Sequence, residues 1–405
     1  MGKTITGKTP SSQYPEDFGY EMPFITPSDS FEKKYINKSD RFLSRSGSDR
    51  LKEKIISPNS IMVTCIGSAM GKVAKNSLPS VTNQQINSII VNGNFDSDYI
   101  YYLLKNNYAV LRNAASGSTA IPILNKTDFD NLRFKVELDL NEQRKMVSIL
   151  STIDDKIETN NQINQELEAM AKTLYDYWFV QFDFPDQNGK PYKSSGGKMA
   201  YNQDLKREIP EGWRVETLKN FESKIITGKT PSRANSDNFG GEIPFITIGD
   251  IRGNTFVYST SESLTDLGAS VQQNKYLPEG SLCVSCIATV GEIGFTTEWS
   301  HTNQQINSIV FEDETNRYYL YFALKNYFEN ANASAKTGNT FANMNKEDFS
   351  GIRIILPRNE IKNNFHKITE PYFAQIKCLQ GQNQELTQLR DWLLPMLMNG
   401  QVKVE

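Results

Sequence analysis

An internal duplication with a period of about 220 residues constrains the fold of this chain more than any other feature. The stretch "ITGKTPS" at residues 5–11 recurs at 226–232, which is 221 positions later. The stretch "TNQQINSI" at 82–89 recurs at 302–309, which is 220 positions later. Solenoid repeats have periods of only about 20 to 50 residues, so this one indicates a duplicated domain. The 405 residues therefore predict two collinear copies of one unit.

The same repeat argues against an ATP site at the start of the chain. Residues 2–9, "GKTITGKT", fit the P-loop pattern G-x-x-x-x-G-K-[ST]. A P-loop needs a helix after it to hold phosphate, but Pro10 and Pro15 follow and oppose a helix. The second copy has Ser223 where the first has Gly2, and the rest of the stretch is kept. We therefore expect this loop not to bind ATP.

The cysteines and the hydropathy favour a cytoplasmic protein without a metal. Four scattered cysteines form no disulfide framework, and no apolar run reaches the length of a membrane span. Cys283 and Cys286 form one C-x-x-C, which fits either a zinc or redox site or a buried strand. The first copy has Met62 in place of Cys283, which keeps an apolar contact but loses a ligand. We favour the strand.

Known catalytic signatures are absent from the sequence. It contains no G-x-S-x-G, no H-E-x-x-H, no G-x-G-x-x-G after a strand and no Asp/Asn-Pro-Pro-Tyr. We therefore expect a non-catalytic chain that holds no cofactor of its own.

Four segments alternate along the chain. Residues 1–140 and 186–358 consist of short Val, Ile, Phe and Tyr runs broken by Gly, Pro, Asn and Ser, which predicts mixed strands and short helices. Segments 141–185 and 359–405 instead predict long helices over 141–182 and 359–399.

Apolar positions in both predicted helices alternate by four and three residues, which is typical of a coiled-coil seam. An Asn lies on each stripe, and a polar seam residue usually fixes register. Packing of each helix on its own globular domain is the alternative; we favour pairing of the two helices. The predicted seam comprises Ile153, Ile157, Asn164, Leu167, Leu174, Ile376, Leu379, Asn383, Leu386 and Leu393.

Five stretches in this order resemble the specificity subunit of type I restriction–modification enzymes. They are "ITGKTPS", "TNQQINSI", "FDFPDQNGKPYKSSGG", "EIPEGW" and "LRDWLLPMLMNGQ". The resemblance implies an α+β fold with two target-recognition domains, 1–140 and 186–358 with its linker, separated by two long antiparallel spacer helices, 141–185 and 359–405. It further implies that each domain reads half of a bipartite sequence in double-stranded DNA.

The resemblance also implies partners. Two methylating subunits would dock on the helices, and a nuclease or translocase subunit would join where the system restricts DNA. Adenine methylation and ATP-dependent cleavage, with S-adenosylmethionine, ATP and Mg, would belong to these partner subunits, and no membrane is involved.

One departure concerns the start of each copy. About seventeen residues, 209–225, precede "ITGKTPS" in the second copy, whereas only residues 1–4 precede it in the first. Either the given start is internal, or the first recognition domain lacks an N-terminal strand that its twin has.

Residues identical in the two copies are expected to hold phosphate or shape a loop, because they cannot distinguish two half-sites. For the two Asn-Gln-Gln triplets, contacts to adenine and cross-linking of the loop remain equal alternatives. The candidates of this kind are Gly7, Lys8, Thr9, Pro10, Ser11, Asn83, Gln84, Gln85, Gly228, Lys229, Thr230, Pro231, Ser232, Asn303, Gln304 and Gln305.

Sequence discrimination is expected where the copies diverge, at 30–56 and 251–275, and small-residue loops are further candidates for DNA-backbone contact. These candidates are Lys33, Lys34, Arg41, Arg45, Arg50, Arg252, Asn254 and Lys275, with the loops Ser116, Gly117, Ser118, Thr119 and Thr337, Gly338, Asn339, Thr340. The net charge of −3 is weak for a DNA-binding protein, so partner subunits would supply part of the affinity.

The sequence is also compatible with other functions. The chain could serve a methylation-only or related system, be a non-DNA coiled-coil scaffold, or be a self-contained methyltransferase or nuclease.

Overall fold

The computed structural model describes residues 1–67, 70–114, 123–335, 343–402 and 404. They form two compact units, one of Met1–Ile157 with Leu386–Glu405 and one of Glu158–Glu385. Each unit contains one copy of the duplicated sequence and a segment of both long helices. Among the described residues, no helix is long and apolar enough to span a membrane.

The described part of the first unit contains nine strands and the helices that connect them. Its strands are β1 Gly2–Thr6, β2 Phe18–Ile25, β3 Tyr35–Ile36, β4 Phe42–Leu43, β5 Ile55–Ile56, β6 Ile61–Thr64, β7 Val73–Asn76, β8 Ser80–Thr82 and β9 Ile86–Val91. Its helices are α1 Arg45–Arg50, α2 Ser97–Asn106, α3 Tyr108–Asn113, α4 Lys126–Asp130 and the first part of α5 Leu140–Tyr175, with short 3-10 turns at Pro15–Asp17 and Lys52–Lys54.

The second unit repeats this arrangement with additions. Its strands are β10 Met199–Asn202, β11 Arg207–Pro210, β12 Arg214–Thr217, β13 Ile225–Thr227, β14 Phe239–Ile246, β15 Phe256–Val257, β16 Glu262–Leu264, β17 Leu282–Ser285, β18 Ile293–Thr296, β19 His301–Thr302, β20 Ile306–Ile309 and β21 Arg353–Leu356. Its helices are α6 Leu218–Phe221, α7 Ile248–Ile251, α8 Asp266–Ser270, α9 Arg317–Ala335, α10 Lys346–Ser350 and most of α11 Asn359–Met398, with 3-10 turns at Ser236–Asn238, Gln273–Lys275 and Glu314–Asn316.

The two main sheets of each unit have corresponding strand orders, except that β8 has a further antiparallel partner, β5, whose counterpart in the second unit is only an isolated bridge between Leu277 and Ser300. The five-stranded sheets have the orders β1-β9-β6-β7-β3 and β13-β20-β17-β18-β15. In the second sheets, β2 lies between antiparallel β4 and parallel β8, and β14 lies between antiparallel β16 and parallel β19. The predicted duplication is confirmed, and the fold is α+β.

The central strands are buried on both faces, which explains their nearly continuous apolar sequences. Successive residues of a strand point to opposite faces. In β6, Ile61 and Val63 join the core under α2, while Met62 joins a second core on the other face. Cys283 occupies the equivalent place in β17 and is fully buried. Burial raises the pKa of its thiol to about 12, so the sulfur is a protonated core side chain.

The units differ where the sequence copies begin. In the second unit β12 pairs antiparallel with β21 and leads through α6 into β13. Residues 133–136 of the first unit, equivalent to β21, form no strand. Residues 209–225 therefore supply a strand and a short helix that have no counterpart in the described part of the first unit.

The two predicted long helices are present, and each contributes a segment to both units. α5 begins at Leu140 and continues beyond Tyr175 in a π-helical turn, Asp176–Val180, so it ends close to the predicted residue 182. α11 extends from Asn359 to Met398, one residue short of the prediction.

The two helices pair antiparallel within each unit. In the first unit Val147 and Leu150 share a core with Leu394 and Leu397. Further along α5 and further back along α11, the guanidinium of Arg390 lies 2.9 Å from the carboxylate of Asp154. This opposite order of residue numbers is the order expected for antiparallel helices.

The polar residue that faces Asn383 across the seam is not Asn164, the other asparagine of the predicted seam. In the second unit Asn160 donates to the Asn383 side chain at 2.9 Å, and Asn383 donates to Asn161 at 2.8 Å. Asn164 is buried, and no described residue hydrogen-bonds its amide. Asn160 and Asn161, not Asn164, therefore fix the register opposite Asn383.

The remaining seam positions serve the helix pair and the globular cores together. Leu167 and Leu174 pack against the main core of the second unit, which also contains residues of α9. Packing on the globular domain, the alternative considered from the sequence, therefore accompanies the helix pairing. Buried seam residues are Ile153, Ile376 and Leu379, and half-buried ones are Ile157, Leu167, Leu174, Leu386 and Leu393.

Candidate nucleic-acid interface

The loop after β1 is held against the end of β8 by its backbone. Lys8 N donates to Thr82 O at 2.8 Å, and Gly7 N donates to Ile86 O at 3.2 Å. A Cβ on Gly7 would lie 2.1 Å from Asn83 O, so only glycine permits this approach. No helix follows this loop, which leaves the P-loop pattern without its structural context.

The Asn-Gln-Gln turn after β8 completes the same loop pair. Asn83 Nδ2 donates to Gln85 Oε1 at 3.2 Å, and Gln85 N donates to Asn83 Oδ1 at 3.0 Å. Thr9 Oγ1 donates to Gln84 Oε1 at 2.6 Å. Asn83 is buried and Gln84 is exposed. The structure therefore favours cross-linking for Asn83 and leaves Gln84 at the surface.

The second unit builds the same loop pair from its own copy. Lys229 N donates to Thr302 O at 3.0 Å, and Thr230 Oγ1 donates to Gln304 Oε1 at 2.5 Å. A Cβ on Gly228 would lie 2.2 Å from Asn303 O. Asn303 Nδ2 again donates to Gln305 Oε1, at 3.2 Å. Two copies of one geometry thus arise from the two copies of the sequence.

The side chains that leave these loops also match. The exposed side chains of the loop pair are Lys8, Ser11 and Gln84 in the first unit and Lys229, Ser232 and Gln304 in the second. The loop prolines, Pro10 and Pro231, are buried. Each unit therefore offers one ammonium, one hydroxyl and one amide at equivalent places.

The side chain of Lys34 lies inside the first unit. Its side chain is 8% exposed, and its ammonium contacts Asp98 at 3.0 Å and Ser151 at 3.1 Å. Lys75 is buried against the same carboxylate. Burial raises the pKa of Asp98, but the hydrogen bond from Lys75 and the charge of Lys34 together hold it below its usual value. The ammonium of Lys34 is therefore already paired inside the unit, and a contact from Lys34 to DNA, which stays a prediction, would require that pairing to be broken.

The arginines of the first divergent segment remain at the surface. The Arg41 guanidinium lies 4.2 Å above the ring of Phe18. Arg50 contacts Asp17 at 2.9 Å and lies 3.9 Å above the ring of Tyr14. Lys33 and Arg45 are also exposed, the latter at the start of α1. Arg41 and Arg45 have no carboxylate partner in the described part of the chain, unlike Arg50.

The second divergent segment carries less free charge. Arg252 contacts Glu292 at 3.4 Å and Thr289 at 3.1 Å, so it is tied to the edge of β18. Asn254 donates to Asp250 O at 3.0 Å, which closes the turn after α7. Lys275 is half-buried in a 3-10 turn.

Two residues near this surface were missed by the sequence reasoning. Arg233 donates to Glu262 through its two terminal guanidinium nitrogens, Nη1 at 2.7 Å and Nη2 at 2.8 Å. Arg233 directly follows the repeated "ITGKTPS", where the first copy has Ser12. That difference between the copies was a signal that could have identified it.

Some of the predicted site residues fall outside the described residues, and the described residues contain no cluster suited to a metal. Ser116, Gly117, Ser118 and Thr119 lie outside the described residues, as do Thr337, Gly338, Asn339 and Thr340. In the ranges that the structure describes, no group of three or more His, Cys, Asp or Glu is placed to hold a metal ion.

Comparison with known proteins gives consistent matches. The family described as "Type I restriction modification DNA specificity domain" matches residues 1–169 and 210–388. The type I restriction enzyme HindI specificity subunit of Haemophilus influenzae is 34% identical over 71% of this chain and 73% of its own length. The MjaIX specificity subunit of Methanocaldococcus jannaschii is 28% identical over all of this chain and 92% of its own.

A solved structure shares the fold. The S subunit of a type I restriction–modification system from M. genitalium matches with a TM-score of 0.50 at 16% identity, covering 98% of this chain and 93% of that one.

Proposed function

Because this chain belongs to the family of type I restriction–modification specificity subunits, we propose that each of its units reads one half of a bipartite sequence in double-stranded DNA. The observation that carries this proposal is the loop pair built twice with one geometry, around which the neighbouring segments diverge. A shared loop suits a feature common to all DNA, and divergent surroundings suit two different half-sites.

The shared loops are proposed to hold phosphate. Lys8 and Lys229 are exposed, and an exposed serine, Ser11 or Ser232, follows three positions later in the same loop. An ammonium and hydroxyls are typical ligands of the DNA backbone and carry no sequence information. Asn83 and Asn303 position the loop, and Gln84 and Gln304 are the amides left to approach a base or a sugar.

Partners are proposed to supply the chemistry and part of the affinity. A net charge of −3 provides little phosphate neutralisation for a chain of this size. Methylating subunits, two in number, would dock on the long helices, and S-adenosylmethionine, ATP and Mg would bind in partner subunits. A nuclease or translocase subunit would join in a restricting system, and the complex would work in the cytoplasm, where its DNA ligand lies.

Removal of the two loop lysines tests the phosphate contacts. We expect Lys8→Ala or Lys229→Ala, in the complex purified with its methylating subunits, to weaken binding of every DNA sequence alike. Each phosphate contact that is removed should lower the slope of log K against log salt by about 0.9. Lys135→Ala, at an exposed lysine outside the loops, is the matched control and should leave the slope unchanged.

Three outcomes would count against this proposal. An unchanged slope in both loop variants would mean that the lysines do not touch phosphate. Binding of S-adenosylmethionine by the isolated chain would favour a self-contained methyltransferase. A complex that ignores DNA altogether would favour the scaffold.

A further inference from the structure

An aromatic pair recurs at the same place in both units. In the first unit the rings of Phe18 and Phe24 in β2 lie 5.7 Å apart at an interplanar angle of 78°. In the second unit the rings of Phe239 and Phe245 in β14 lie 6.2 Å apart at 73°. Each second-unit residue stands 221 positions after its counterpart.

A guanidinium covers the outer phenylalanine of each pair, but it comes from a different part of the chain. Arg41, which directly precedes β4, lies 4.2 Å above Phe18. Arg233, from the loop before β14, lies 5.2 Å above Phe239. Such contacts between cations and ring faces are attractive and hold the planar fork at the surface.

The position of Arg41 is occupied by an acid in the second unit. Arg41 O accepts a hydrogen bond from Phe24 N at 2.9 Å, which places Arg41 opposite Phe24. Glu262 is the residue opposite Phe245 in the equivalent strand pair. Both oxygens of Glu262 accept hydrogen bonds from Arg233, at 2.7 and 2.8 Å, and these bonds hold the pKa of the carboxyl below its usual value.

The two units therefore present different charge at one equivalent place. Arg41 is exposed and has no ion-pair partner among the residues that the structure describes. Arg233 and Glu262 neutralise each other, so the fork of Arg233 is already occupied. Arg41 lies close to the shared loop. Its partner Phe24 directly precedes Ile25, and the carbonyl of Ile25 accepts a hydrogen bond from Asn83 N at 2.9 Å.

We propose that these equivalent places are base-reading positions of the two recognition halves, with Arg41 reading a guanine and Arg233 held back from doing so by Glu262. Arginine donates two parallel hydrogen bonds to O6 and N7 of guanine, which needs a free fork. The inference rests on the proposed function, because it assigns a role inside the same DNA complex.

Four variants of the complex test the inference in two assays. The methylated bases of a host that carries each variant are sequenced, and the binding of each purified complex is measured on DNA in which each base of the target is substituted in turn. The variants are Arg41→Ala, Arg41→Lys, Glu262→Ala and the control Arg133→Ala, at an exposed arginine outside the divergent segment 30–56. Thermal unfolding of each variant shows whether it is folded.

The wild-type complex should require guanine at one position of the first half-site. Arg41→Ala should reduce discrimination at that position by roughly 5- to 150-fold and leave the second half-site unchanged. Arg41→Lys should restore affinity without restoring this discrimination, because an ammonium lacks the fork. Glu262→Ala should release Arg233 and add a guanine preference in the second half-site.

Other results would overturn the inference. If Arg41→Ala weakens the binding of every DNA sequence equally, Arg41 contacts a phosphate and not a base. If Arg41→Ala leaves both the binding and the recognised sequence unchanged, Arg41 lies outside the interface. If Arg41→Ala does not fold, Arg41→Lys and Glu262→Ala test the inference instead. Unchanged discrimination between bases in both of these variants rejects it. A wild-type complex without any methylated motif would reject the proposed function itself.

Discussion

Gly7→Ala tests whether the shared loop owes its shape to a close backbone approach. A Cβ on Gly7 would lie 2.1 Å from Asn83 O and 2.2 Å from Thr82 O, whereas carbon and oxygen need roughly 3.3 Å. The contacting atoms are backbone, so the loop and β8 must separate by about 1 Å. We expect that movement to break the hydrogen bonds Lys8 N–Thr82 O and Gly7 N–Ile86 O.

The expected loss of stability combines the two broken hydrogen bonds with steric strain. Each hydrogen bond contributes about 0.5–1.5 kcal/mol to stability. Strain from the added methyl group costs about 1–3 kcal/mol. The first unit should therefore lose about 2–6 kcal/mol of unfolding free energy, measured by urea denaturation of the full chain. Hydrogen exchange of the backbone amides of Gly7 and Lys8 should accelerate as well.

Two controls separate this effect from others. Gly93→Ala makes the same chemical change in the same unit, where a Cβ meets nothing within 4 Å, and should change stability by less than about 0.5 kcal/mol. Lys8→Ala removes the charge and leaves the loop intact. Wild-type stability and wild-type exchange in Gly7→Ala would refute the loop geometry.

Three further predictions concern the interior. Asp98→Ala leaves Lys75 buried without its carboxylate partner, so the unfolding free energy of the first unit, measured by urea denaturation, should fall by about 3–5 kcal/mol. The control Asp130→Ala removes an exposed ion pair with Lys126 and should change the unfolding free energy little. Because the pKa of Asp98 is lowered, its stabilisation is present at neutral pH and should fade in wild type as the pH falls through that pKa; a flat profile would contradict this. Asn383→Ala removes hydrogen bonds to Asn160 and Asn161 and should cost about 1–3 kcal/mol, with Gln382→Ala at an exposed neighbour as the control; equal stability of the two variants would contradict the seam.

The duplication made much of the fold accessible from the sequence. Identical stretches predicted equivalent loops, and the exchange of Cys283 for Met62 identified a buried strand, because a strand buried on both faces accepts either side chain. The long helices followed from about forty residues of periodic pattern with few breaks.

Partners distant in sequence were not accessible. Lys34 resembles its exposed neighbour Lys33, and nothing local reveals that Asp98 lies beside it in the folded chain. The periodicity of one helix cannot set its register against another, so Asn383 was not assigned to Asn160. The pair of Arg233 and Glu262 also depends on a strand pairing that only the structure supplies.

The most direct test of the account is sequencing of methylated bases in the host genome with the gene intact, deleted and restored. We expect one bipartite motif, two short half-sites separated by unread bases, to lose methylation on deletion and regain it on restoration. Exchange of residues 30–56 for the matching segment of another family member should then change one half-site only. A methylation pattern that is identical in all strains would contradict the account.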